Sequence, residues 1–164
     1  MEVLSENEWL LLGERARRIR DTIINTLVAV SRRFNMTSKV TKSMIALDAG
    51  FSSYRSSLDD FLCGSYLEST IGPEHTSVTR VFYGSSGRLI DESTLENFPK
   101  RKRPQTLTAI QEVDCRNLWE DISAFMADVQ TYPYLKRRFL EKSHRLALNR
   151  MIKRLALFKD AISQ

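Results

Sequence analysis

A chain of 164 residues, 42% apolar, with 25 basic and 20 acidic side chains, is long enough for one globular domain and too balanced in charge for whole-chain disorder. Two cysteines, Cys63 and Cys115, exclude a disulfide scaffold and a four-cysteine zinc site, and two histidines exclude a His-rich metal centre. A formal net charge of +5 admits an acidic partner without identifying one.

The stretch from Met1 to Glu6 has neither the basic start nor the apolar run of a secretory signal. No apolar run reaches the roughly 18–20 residues that a membrane span needs. The expectation is an intracellular protein, cytoplasmic or nuclear, with no membrane contact. Three of the six glycines and three of the four prolines fall in residues 70–105, so that stretch is the expected long interruption.

The first predicted helix covers about residues 7–34. Leu12, Ala16, Ile19, Ile23, Leu27, Val30 and Phe34 recur at steps of three and four, which places one apolar stripe along it. Ser5 followed by Glu8 reads as a capping box at its start. A second helix is expected over about 38–69. Its stripe of Val40, Met44, Leu47, Phe51, Tyr54, Leu58 and Phe61 is the cleanest heptad-like repeat in the chain. Gly50 and Gly64 weaken it locally, by about 1 kcal/mol each relative to alanine.

Within 70–105, Val78 to Tyr83 is β-prone, Gly84 to Gly87 is turn-prone and Arg88-Leu89-Ile90 allows a return strand. Two readings stand: a short β-hairpin, or an irregular loop pinned by Phe82, Tyr83 and Leu89. Farther on, Lys100, Arg101, Lys102 and Arg103 lie between Pro99 and Pro104. Burying four unpaired cations costs too much, so this run is expected at the surface. It resembles a monopartite nuclear localisation signal, and a phosphate contact is the other functional reading.

A third helix is expected over about 106–131, with Ile110, Leu118, Ile122, Phe125 and Val129 on its apolar face and Trp119 and Met126 widening it. Pro133 can open a fourth over 133–162, with Leu140, His144, Ala147, Met151, Leu155, Phe158 and Ile162 as its stripe. Helices of similar length with such faces predict an all-α four-helix bundle of two long antiparallel helical hairpins with a long middle crossover, residues 1–164 forming one domain. The long stripes leave room for a second chain, so self-association or a protein partner is expected.

Charge is divided unevenly. Residues 106–131 carry one basic and five acidic groups, whereas residues 132–164 carry nine basic and two acidic. One reading pairs them internally: Asp128 with Arg137 or Arg138, Asp121 with Lys142 or Arg145, and Glu112 or Asp114 with Arg150 or Arg154. The other presents Lys136, Arg137, Lys142, Arg145, Asn149, Arg150, Lys153 and Arg154 to nucleic acid or an acidic protein. No zinc finger, RRM signature or KH-type loop accompanies them, so no base-reading element is expected.

Arg137 and Arg138 precede His144 with six and five residues between. This spacing resembles the Arg-x(4–6)-His motif of the HEPN ribonucleases. The resemblance implies an all-helical, dimerising nuclease in which Arg138 and His144 act on the RNA phosphodiester. Two features depart from that family's pattern: the residue after the arginine is Arg138 or Phe139, and no turn follows the histidine. Glu141-x-x-His144 also resembles half of the ligand set of ferritin-like bundles, but no second copy occurs. No metal, cofactor or small-molecule substrate is therefore expected. The leading expectation is a non-enzymatic interaction module acting through the basic last helix and the Lys100–Arg103 run. The alternatives are the ribonuclease and an obligate subunit of a larger helical complex.

Overall fold

The computed structural model describes residues 3–68, 81–82 and 109–163. These form helices α1 (Glu6–Arg33), α2 (Lys39–Glu68), α3 (Ala109–Thr131), α4 (Pro133–Arg138) and α5 (Lys142–Ile162), packed as an all-α helical bundle. No strand occurs among the described residues. The start of α1 is built as its sequence requires. The Ser5 backbone N–H donates to Glu8 Oε2 at 2.7 Å, and the Glu8 N–H donates back to Ser5 Oγ at 3.3 Å. Two N–H groups that the helix itself leaves unpaired are thereby satisfied.

The first three helices start and end within about three residues of the expected limits. The fourth does not: the predicted helix over 133–162 is two helices, broken at Phe139–Glu141. Leu140 N–H and Glu141 N–H turn back to Arg137 and Arg138 carbonyls at 3.0 and 2.9 Å, tightening the chain out of α geometry. At the break Phe139 is buried against the rings of Tyr54 and Phe61. Leu140, expected in the apolar stripe, is turned out to 73% exposure.

Packing follows the stripes. α1 lies against α2 and α3, and α5 lies against α2 and α3. The α2 and α5 helices run in opposite senses: Phe61 meets His144 near one end, with ring centroids 4.2 Å apart, and Gly50 meets Arg154 farther along. Leu12, Ala16, Ile23, Met44, Leu47, Phe51, Leu58, Leu118, Ile122, Phe125, Met151 and Phe158 fill the centre. Each large aliphatic or aromatic member contributes about 1.5–3 kcal/mol by leaving water. Phe125 joins the layers, its ring 6.1 Å from Phe51 and 6.3 Å from Tyr54.

Of the β-prone stretch, Val81 and Phe82 are described. They form a turn and are buried. Phe82 meets the edge of Trp9 at 6.1 Å between centroids. Gly13 permits the approach, because a Cβ there would overlap the Val81 carbonyl oxygen and lie 2.5 Å from Val81 Cγ1. The rest of the predicted hairpin, and the Lys100–Arg103 run, lie outside the described residues.

Candidate functional site

The break between α4 and α5 gathers the two residues of the nuclease-like motif. Phe139 anchors it, stacked on Tyr54 at 5.6 Å and edge-on to Phe61 at 5.1 Å. On its outer side the Arg138 guanidinium donates to Glu141 Oε1 at 2.8 Å and lies over the Tyr134 ring at 5.5 Å. The His144 Nε2 stands 3.7 Å from the other Glu141 oxygen, with the side chain 13% exposed. Arg138 and His144 thus share one carboxylate between them. That carboxylate pushes the Arg138 pKa further above its usual value, and the same hydrogen bond lowers the Glu141 pKa. Behind them, the Ser65 hydroxyl bonds the Tyr134 hydroxyl at 2.9 Å and the Phe61 carbonyl at 2.7 Å, tying α2 to α4.

The basic residues occupy a different surface. Lys136 and Arg137 on α4, and Lys142, Arg145, Arg150, Lys153 and Arg154 on α5, are all exposed. Among the described residues the internal pairing expected for them does not form. Asp128 accepts instead from Arg15 of α1 at 2.6 Å, and Arg15 also lies over the Phe125 ring at 5.4 Å. These seven cations make no ion pair with any described residue, and neither do the exposed Asp114 and Asp121 of α3. The Glu112 side chain lies outside the described residues. Lys159 Nζ of α5 lies over the Trp119 ring of α3 at 4.6 Å.

The α5 surface is not purely polar. Leu146, Ile152 and Leu157 are 46%, 52% and 45% exposed among its cations. Sequence reasoning passed over them because it followed the buried stripe. The available signal was the position of Leu146 and Leu157 across from the Met151, Leu155 and Phe158 stripe, with Ile152 on its flank, in a 3.6-residue period.

Two of the clefts on the bundle bear on its charge. One of about 600 Å³ runs between the start of α2 and the end of α5. Lys39, Lys42 and Arg154 supply its cations, Ser43 and Ala46 its small residues, and Leu157 its apolar side. Asp160 adds one carboxylate. The Arg154 stem passes over Gly50, where an added Cβ would stand 3.1 Å from its Cγ. The other cleft, about 310 Å³ between α1 and α3, carries Asp114 and Asp121 with Thr22, Asn25 and Cys115 and has no cation in its lining. Burial pushes the Cys115 thiol pKa up to about 12, with Asp114 adding to the shift, so it is not a nucleophile at neutral pH.

Among the described residues no group of three or more His, Cys, Asp or Glu side chains is placed to hold a metal ion, and no helix is long and apolar enough to cross a membrane. Comparison with protein-family models, with curated proteins and with solved structures finds no match for this chain.

Proposed function

We propose that this chain is a non-enzymatic helical interaction module whose basic α5 surface takes an acidic protein partner. Its scaffold is then two antiparallel helical hairpins, α1–α2 and α3 to α5, joined by the crossover of residues 70–105. The observation that carries the reading is the row of exposed α5 cations that pair with no described residue, with Asp128 of the acidic α3 engaging Arg15 of α1 instead. Free cations raise the rate of encounter with an anionic surface and set its orientation. The interleaved Leu146, Ile152 and Leu157 favour a protein over a bare phosphate chain, which gives aliphatic side chains little to bury against. In this reading Lys100–Arg103 is an accessory basic contact or a nuclear import signal.

The test is light scattering after size-exclusion chromatography, alone and with polyglutamate or a mixed-sequence RNA at near-physiological salt. Association with polyglutamate that is lost in Arg145→Glu/Lys153→Glu supports the reading. No association with either polyanion sinks it, and preference for RNA turns it toward nucleic acid. The same run reads self-association.

A second reading, a ribonuclease, is favoured by the convergence of Arg138 and His144 on Glu141. It requires RNA cleavage by the wild type that His144→Ala abolishes. An intact RNA substrate after prolonged incubation removes it.

A further inference from the structure

The cleft between α2 and α5 has more structure than the open α5 surface. Its cations come from two helices that meet end to start: Lys39 and Lys42 from the first turn of α2, and Arg154 from the last turns of α5. Between them Ser43 and Ala46 are half-buried and small, which keeps the floor low. Leu157 stands 45% exposed at one side. A volume of about 600 Å³ falls within the roughly 300–1,000 Å³ of ordinary ligand clefts.

We propose that this groove is the docking site of an acidic peptide segment bearing an aliphatic anchor, the anchor lying against Leu157 and Ala46 and its carboxylates meeting Lys42 and Arg154. The proposal rests on the basic-surface reading above and adds where the partner sits and what form it takes. Three observations select a peptide. Arg154 and Lys42 line the groove from two different helices, so one short ligand can reach both cations. Leu157 beside the cations calls for a ligand with both an apolar group and negative charge. Asp160 in the same groove repels a chain charged at every unit, such as a nucleic acid, whereas a peptide can place a neutral residue there. A lipid surface is flat and does not enter a cleft.

The test is fluorescence anisotropy with a labelled synthetic peptide of about twelve residues, roughly three helical turns, made of Glu and Ala with one central Leu. Comparison probes replace that Leu by Ser, or every Glu by Gln, and oligothymidylate of equal length stands for nucleic acid. Protein variants are checked by circular dichroism for unchanged helix content. Lys42→Glu and Leu157→Asp are each expected to weaken the peptide by about tenfold, and the Leu-to-Ser probe to weaken by a similar factor. Asp160→Asn is expected to tighten it about threefold. Arg32→Glu, on α1, matches the charge change and is expected to leave it unaltered.

Equal binding of the Leu and Ser probes overturns the anchor and with it the proposal. If Lys142→Glu and Arg145→Glu weaken the peptide while Lys42→Glu and Leu157→Asp do not, the groove is wrong and the basic-surface reading survives. If the wild type binds neither peptide nor oligothymidylate, both fall. Tighter binding of oligothymidylate that is lost in Lys42→Glu replaces the peptide by a nucleic acid.

Discussion

Adding one methyl group at each of three helical glycines separates backbone preference from close packing. Gly64 has nothing within 4 Å of an added Cβ. Gly64→Ala therefore gains helix propensity alone, about 0.5–1 kcal/mol of stability. At Gly50 the added Cβ stands 3.1 Å from Arg154 Cγ and 3.5 Å from Met151 Sδ. The arginine stem can shift outward, so the propensity gain is offset and Gly50→Ala should fall near zero. At Gly13 the obstacle is backbone: the carbonyl carbon of Val81 lies 2.9 Å away and its Cγ1 2.5 Å away. Overpacking of this kind costs about 1–3 kcal/mol. If the Val81–Phe82 turn lifts instead, the cost is the burial of Phe82, about 1.5–3 kcal/mol. After subtracting the propensity gain, Gly13→Ala should be destabilised by about 1–2 kcal/mol, which lowers Tm by about 3–6 °C in a domain of this size. Urea unfolding followed by circular dichroism orders the three variants, and tryptophan emission reports Trp9 beside Phe82. A Gly13→Ala protein as stable as the wild type, with unaltered emission, would refute the account of the Val81–Phe82 contact.

Four other outcomes are expected. Phe139→Ala should cost about 3–5 kcal/mol in urea unfolding, because it removes the ring held between Tyr54 and Phe61, and a loss under 1 kcal/mol would mean the break is not anchored there. Acid should weaken the fold through Glu8, Glu14 and Glu141, whose pKa values are lowered by the Ser5 backbone, Arg18 and Arg138 respectively. Their contribution is present above the usual carboxylate pKa near 4.5 and is lost as pH falls through the lower folded values. Asp59 has the opposite sign, its pKa raised by burial and then by Asp60, so Asp59→Asn should raise the urea midpoint at neutral pH, and a lowered midpoint contradicts this. Thiol labelling of the native protein at pH 8 should modify the half-buried Cys63 well before Cys115, and mass spectrometry finding Cys115 modified first would contradict its burial.

The helices were legible because their apolar residues repeat at 3.6. Ile23, Val30, Met44, Phe51 and Leu118 lie in the core as their spacing requires, and Ser5 and Glu8 form the box that their sequence announces. The break at Phe139 was not legible, since Leu140 continues the α5 stripe and Phe139 continues that of Leu135, and only the surrounding rings of Tyr54 and Phe61 decide between them. The partner of Asp128 was hidden for a related reason. Nearness in sequence pointed to Arg137, whereas α1 brings Arg15 alongside from 113 residues away. The cations of α5 were visible at once. Their meeting with Lys39 and Lys42 needed the antiparallel course of α2 and α5, which no local pattern encodes.

That separation of 113 residues between Arg15 and Asp128 also bears on how the chain acquires its shape. Helical proteins fold fast when most contacts are local. Here α1 shares its surface between α2, its immediate neighbour in sequence, and α3, and the α2–α5 contact between Gly50 and Arg154 closes a loop of comparable size. Loop closure grows only as (3/2)RT ln n, about 0.6 kcal/mol per doubling, so such contacts are affordable at equilibrium but late in time. During synthesis α1 and α2 emerge first, and the parts of their apolar stripes that pack on α3 and α5 stay uncovered until those helices follow. Refolding slower than that of a helical protein built from neighbouring contacts alone, with exposed apolar surface in the interval, is the consequence of joining the first quarter of the chain to its last.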